Sequence, residues 1–292
     1  MTPVRRFPST RISAVVSDVD GTLVTDDKIL TPRAQAAVVD LHARGIIFAI
    51  ISSRPPRGLR MLLDPLEITT PISGFNGGVI ATPDLTVITE HLLSPAIARR
   101  AVDLLAAHAV DVWVFSGKDW LLRNSEGPYV GLEERTVGFP PTIVEDFGAS
   151  LDAAAKIVGV SKDFALIAQR ESDVRAALAG DAFVVRSQQY YLDITHPLAN
   201  KGEALSDLAK LLAVPLAEIA VVGDGANDVA MFERSGLSIA MGNASPEVRR
   251  AADFVTDSND EEGFANAIER FILADGRSTT RAGGARGRGH AW

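Results

Sequence analysis

Apolar residues fall along this chain in short blocks of two kinds, and the kinds alternate. Ile12 to Ser17 is a brief run rich in β-branched residues, closed by the turn-like Asp18-Val19-Asp20-Gly21, and reads as a strand. Thr31 can cap a helix that opens on Pro32 and runs to about Arg44, with Gly45 placed to end it. Ile46 to Ile51 is unbroken apolar sequence, as expected of a strand covered on both faces. A helix is expected after Pro55, then a strand from Pro71 to Phe75 that ends in Asn76-Gly77-Gly78. The same grammar returns late in the chain. Asn200 caps a predicted helix from Lys201 to about Val214, with Glu203 in capping-box position. Strands follow at Ile219–Val222, Leu237–Met241 and Phe254–Val255, with helices at Ala226–Arg234, Pro246–Ala252 and Glu262–Leu273. This alternation predicts an α/β fold: a doubly wound, Rossmann-like parallel sheet with right-handed crossovers. Functional groups are then expected at the carboxyl ends of its strands.

The middle of the chain breaks the alternation. Strand patterns at Val110–Phe115, Trp120–Arg123, Ile157–Val160 and Ala182–Arg186 mix with helices at Pro95–Ala107 and Ser172–Ala179, and 127–141 reads as a loop. Residues 83–188 are therefore expected to form an inserted α+β domain, dividing a core of 1–82 and 189–275. From 276 to 292 the chain is Gly, Arg, Ser, Thr and Ala without an apolar period, which predicts a disordered tail.

Composition narrows the function. With 47% hydrophobic and 23% charged residues, the 292-residue chain is globular in type. A net charge of −8 disfavours a nucleic-acid partner, since such surfaces carry a basic stripe. The absence of cysteine excludes disulfides, thiolate metal sites and a cysteine nucleophile. Arg5 and Arg6 precede an apolar run, but Asp18 and Asp20 end it too early for a signal peptide or membrane span. A soluble, cytoplasmic protein without membrane or obligate protein partners is expected.

Four features carry chemistry. Asp18 and Asp20 follow the first strand, and residues i and i+2 of an extended chain point to one side. A pair of oxygen donors without His or Cys nearby suits magnesium, with one carboxylate free to attack and the other to move protons; a turn or helix-cap cluster is the alternative. Asp224 and Asp228, in Gly223-Asp224-Gly225-Ala226-Asn227-Asp228, bracket a helix start as either ligands or caps. A dinucleotide site is excluded there, because Asp228 stands at the third glycine position. Ser52-Ser53-Arg54 ends the second strand with hydroxyls and amides able to hold phosphate oxygens, or simply to cap a helix after Pro55. Lys201 sits at a helix start, where a cation is disfavoured unless an anion faces it. Four carboxylates in one place need cations; magnesium, Lys201 and a dianionic substrate group together point to phosphoryl transfer.

These residues, in this order, resemble the four motifs of the haloacid dehalogenase superfamily, and Phe75-Asn76-Gly77-Gly78, Tyr190 to Thr195, Ala240 to Ala244 and Asp257 to Gly263 look like its Cof-type branch of metabolite phosphatases. The resemblance spans about residues 11–273. It implies Asp18 as nucleophile, forming an aspartyl-phosphate, and Asp20 as the acid and base. It implies a magnesium ion held by Asp18, the backbone carbonyl of Asp20 and Asp224, with Asp228 ligating or orienting. Ser52 and Lys201 would grip the phosphoryl oxygens, and Gly21, Ser53, Arg54 and Asn227 would lie near the substrate. The insert would be the cap. One departure stands out: the branch usually has Thr-Gly-Arg where this chain has Ser52-Ser53-Arg54, so the hydroxyl is kept and the glycine is not. The expected function is a magnesium-dependent phosphatase of a small phosphorylated metabolite, a sugar phosphate or phosphorylated cofactor. The alternatives are a phosphotransferase or mutase, or a non-catalytic binding module. Within the cap, Trp113, Phe115, Trp120 and Tyr190 either touch substrate or pack the cap. Arg123 and Lys118 are two more candidates for an anionic group.

Overall fold

The computed structural model describes residues 11–108 and 110–274; the segment expected to be a disordered tail lies outside them. Five short strands make a fully parallel sheet in the order Phe254–Val255, Leu237–Ala240, Ile219–Gly223, Ala14–Ser17, Ile47–Ile50. Strand alternation sorts its side chains onto two covered faces. Val15, Phe48, Val222 and Ile239 meet Ala34, Val38 and Leu41 of the helix Pro32–Ala43 and Phe264 near the C-terminal end. Val16, Ala49, Val221 and Ala240 meet Leu205 and Leu208 of the helix Lys201–Leu211, with Met231 and Val248. The expected doubly wound α/β core is therefore present. Its chain order reverses around Ala14–Ser17, so the carboxyl ends of this strand and of Ile219–Gly223 open side by side at the switch point.

A second sheet has six strands, ordered Phe183–Gln188, Tyr191–Thr195, Ala154–Val160, Asp111–Ser116, Asp119–Leu122, Thr142–Ile143; all pairs are antiparallel but the last. Helices Pro95–Ala106 and Phe164–Ala177 cover one face, burying Val114, Ile157 and Ile194. The other face carries Trp113, Phe115 and Trp120, all buried. Three of the four cap aromatics thus pack the sheet, and Arg123 lies over the Phe147 ring at 4.7 Å.

Several expectations shift. The residues read as a loop at 127–141 contain a helix, Val130–Val137, entered through Tyr129 at φ +62° and left through Gly138 at φ +75°. Glycine and proline on both flanks hid its two turns. The helix expected at Ser172–Ala179 begins at Phe164, capped by Asp163. The segment expected as one helix from Ala226 is a 3₁₀ turn, Ala226–Asp228, followed by the short helix Val229–Phe232. A boundary at 188 cuts the second sheet, since Tyr191–Thr195 pairs with both Phe183–Gln188 and Ala154–Val160. A boundary at 82 falls in the turn joining Val79–Ala81 to its antiparallel neighbour Val87–Glu90.

Candidate active site

The strand Ala14–Ser17 delivers Asp18 directly onto the switch point, where it is buried. Lys201, first residue of its helix and also buried, reaches Asp18 Oδ1 at 2.5 Å and Asp228 Oδ1 at 2.6 Å. The anion that a lysine at a helix start requires is thus a pair of carboxylates. Asp228 resolves the choice between cap and site group by being both: its Oδ2 accepts from the amides of Asp224 and Gly225, each at 2.8 Å, while Oδ1 faces Lys201. Asp224 is held by the Thr22 hydroxyl and by Asn243 Nδ2, both at 3.2 Å. Gly21 has φ +81°, and a Cβ there would stand 2.4 Å from Asp224 Oδ2, so the turn after Asp20 admits no side chain.

Crowded carboxylates raise one another's affinity for protons. Burial, opposed by Lys201 and reinforced by Asp228, pushes Asp18 up to about 6. Burial and then the charges of Asp18 and Asp228 push Asp224 well above the usual carboxylate range. Lys201 is moved upward, because its two carboxylates outweigh the cost of burial. Asp18, Asp224 and Asp228 each offer an oxygen within 4.8 Å of the others, and among the described residues theirs is the one group of His, Cys, Asp or Glu side chains able to share an ion. Hard oxygen donors with excess negative charge fit a divalent cation of the magnesium kind. The Asp20 side chain is not in that group.

Asp20 instead faces a second cluster. Arg54 clasps it with Nε to Oδ2 at 2.6 Å and Nη2 to Oδ1 at 2.7 Å, and Lys28 Nζ lies 2.9 Å from Oδ1. Burial works to raise its carboxyl, but the Arg54 and Lys28 contacts win and hold it far below the usual range. Arg54 itself is buried and donates Nη1 to the Thr136 carbonyl at 2.7 Å.

The loop of Ser52 and Ser53 leads into Arg54 and shares the pocket of Asp20. Ser52 is buried, and its hydroxyl accepts from the Arg54 amide at 3.1 Å. The turn after it, Pro56–Leu59, has no side-chain cap, so these hydroxyls are not there to start a helix. Ser53 turns its carbonyl to Lys156 Nζ at 3.2 Å. Asn227, buried, donates to Asn76 Oδ1 at 3.0 Å, and among the described residues its side chain makes no hydrogen bond to the carboxylate group. Asn76 sits in the left-handed region at φ +59° and reaches Asp193 at 3.5 Å, and Asp193 pairs with Lys156 at 2.8 Å. A polar chain therefore runs from Asn227 through the second sheet back to Ser53.

Lys28, Glu133 and Lys156 were not singled out by sequence. Lys28 lies in a charged turn indistinguishable from solvated surface. Lys156 did leave a signal: a lone cation in the apolar run Ala154–Val160 must have a buried partner. No histidine spacing suggests a pair, yet His91 and His196 stack with ring centroids 5.4 Å apart.

A parallel sheet whose switch point gathers three carboxylates, a buried lysine and an arginine-clasped aspartate defines a phosphoryl-transfer type of site. Comparison with known proteins agrees. The family model for haloacid dehalogenase-like hydrolases matches residues 15–268, and the chain belongs to that family, in its Cof-type phosphatase branch; it is an enzyme of the hydrolase class. A protein of Haemophilus influenzae is 29% identical over 257 residues, covering 88% of this chain and 97% of its own. A 5-amino-6-(5-phospho-D-ribitylamino)uracil phosphatase of Bacillus subtilis is 27% identical over 268 residues, with 88% and 97% covered. Among solved structures, a haloacid dehalogenase-like hydrolase from Bacteroides thetaiotaomicron superposes with a TM-score of 0.79 at 29% identity, covering 89% of this chain and 99% of that one. A subclass IIB sugar phosphatase at 21% identity gives 0.78 over 90% and 99%, a likeness of fold. Among the described residues no helix is long and apolar enough to cross a membrane.

Proposed function

We propose that this protein is a magnesium-dependent phosphatase that hydrolyses a small phosphorylated metabolite, a sugar phosphate or phosphorylated cofactor, through an aspartyl-phosphate on Asp18. The observation that carries this reading is the contact of Lys201 with Asp18 and Asp228 beside Asp224, which sets a nucleophile, a charge-balancing cation and an oxygen-donor group at one strand end. Asp18 Oδ attacks phosphorus as the bond to the leaving oxygen breaks, and Asp20 gives that oxygen its proton. Asp20 then takes a proton from the water that attacks the phosphoryl group, and Asp18 is released with inorganic phosphate. Lys201 balances charge on the phosphoryl oxygens, with the Ser52 hydroxyl as a second donor. Magnesium would be held by Asp18, Asp224 and the Asp20 carbonyl, with Asp228 orienting, and supplies Lewis-acid neutralisation of the phosphoryl charge. Arg54 and Lys28 keep Asp20 ionised, which suits its role as base. Its role as acid needs those contacts loosened, and an arriving phosphate dianion is a competing partner for both cations.

The test is phosphate release from a panel of phosphorylated metabolites, with magnesium and with chelator, beside Asp18→Asn. Magnesium-dependent release that falls at least about a thousandfold in the variant is expected. Silence across the panel from folded, magnesium-bound protein would favour a binding role.

A further inference from the structure

Between Asp20 and the second sheet lies a chamber of about 40 Å³, and its charged wall is uneven. Three cations stand at it, and each is engaged. Lys28 and Arg54 both hold Asp20, and Arg54 also serves the Thr136 carbonyl. Lys156 is 2.8 Å from Asp193 and 3.2 Å from the Ser53 carbonyl. Glu133, in the first turn of the helix Val130–Val137, differs from the other carboxylates. Among the described residues no cation lies within ion-pair distance of it, and its side chain accepts one hydrogen bond, from the Tyr191 hydroxyl to Oε2 at 3.1 Å. A carboxylate has about four acceptor positions. Glu133 therefore faces the chamber with unused acceptor capacity and a charge that Lys156 and Arg54 offset from beyond ion-pair distance.

Resting on the phosphatase reading above, we propose that Glu133 is a specificity-determining residue of this chamber: it accepts a hydrogen bond from a hydroxyl of a neutral leaving group, and it rejects leaving groups that carry a carboxylate or a second phosphate. Three cations and the three carboxylates Asp20, Asp193 and Glu133 already balance, so once the phosphoryl group has competed for Arg54 and Lys28 no cation is left for a second anion. A like charge brought against Glu133 in this half-buried place is repelled, whereas a hydroxyl supplies the donor it lacks. The Tyr190 ring, stacked on Tyr129 at 4.1 Å between centroids, gives the same chamber a flat wall suited to carbon-bound hydrogens. The volume matches the atoms next to the reacting phosphate rather than a whole metabolite, so these are the atoms read.

The test uses two probes with one skeleton, glycerol 3-phosphate and 3-phosphoglycerate, which differ by a hydroxymethyl group against a carboxylate. Their kcat/KM ratio is measured on the full chain as wild type, Glu133→Gln and Glu133→Asp, with para-nitrophenyl phosphate reporting hydrolysis itself. The wild type should prefer glycerol 3-phosphate by at least about tenfold. Glu133→Gln, which keeps shape and the contact to Tyr191, should shrink that preference about tenfold, mainly through a lower KM for 3-phosphoglycerate. Glu133→Asp should keep most of it. A ratio unchanged in Glu133→Gln, or a wild-type preference for 3-phosphoglycerate, overturns the assignment. Cleavage of the nitrophenyl ester with neither probe turned over overturns it too, while leaving the phosphatase reading intact. If no ester is cleaved, that reading has failed, and calorimetric binding of the two probes to wild type and Glu133→Gln decides the assignment by the same ratio; equal binding, or none, overturns it.

Discussion

At the scale of single residues, the site is governed by which carboxylate owns which cation. Lys201 is shared by Asp18 and Asp228, Arg54 and Lys28 serve Asp20, and Lys156 serves Asp193, which among the described residues leaves Glu133 without an ion pair. That isolation has a signature in stability. Burial, opposed by Lys156, pushes Glu133 up to about 6 from its ordinary 4.5. An acid whose affinity for protons is higher in the folded state contributes stability that is complete below pH 4.5 and is lost as the pH rises through 6. Glu133→Gln does not titrate and should therefore gain on the wild type across that window, by about 2 kcal/mol at most. Urea unfolding of both proteins at pH 4.5 and 7 measures this, and a difference that stays constant, or moves the other way, contradicts it.

At the scale of elements, short turns do the positioning. Gly21 is the clearest case, because its positive φ and the nearness of Asp224 both forbid a side chain. Gly21→Ala should cost about 1–3 kcal/mol of stability and, by displacing Asp224, weaken magnesium binding, read by calorimetry. Affinity equal to the wild type would contradict that role. The core elements were legible in sequence because their signals are local: unbroken apolar strands, Thr31 and Asn200 as caps, and acidic turns at strand ends. Lys201 was legible by a misfit, a cation where the helix dipole disfavours one. The helix Val130–Val137 was not, since its two turns lie between glycine and proline on both sides, and Glu133 and Thr136 went unseen with it. Asn76 acquires its role only through contacts distant in sequence, with Asp193 and Asn227, whereas Lys28 meets Asp20 within the same segment but looks like any charged turn residue until the fold is known.

At the scale of the whole molecule, the two sheets are tied at the site rather than beside it. Lys156 belongs to the second sheet but donates to the Ser53 carbonyl of the core, and its partner Asp193 is reached by Asn76. Arg54 makes the reverse crossing to Thr136. Lys156→Met should leave Asp193 buried and uncompensated, costing about 3–5 kcal/mol. The double variant Lys156→Met/Asp193→Leu should recover most of that stability while remaining impaired in turnover, because the tie to Ser53 is still missing. Full recovery of both stability and kcat/KM in the double variant would show that the tie is packing alone.

The central claim is that Asp18 carries the phosphoryl group, and chemical trapping tests it most directly. Acid quenching during turnover, then borohydride reduction, converts an aspartyl-phosphate to homoserine, which peptide mass spectrometry locates. Homoserine at position 18, dependent on substrate and magnesium, is the predicted result. Product formation with position 18 unmodified, or with the label at Asp20, would contradict the account.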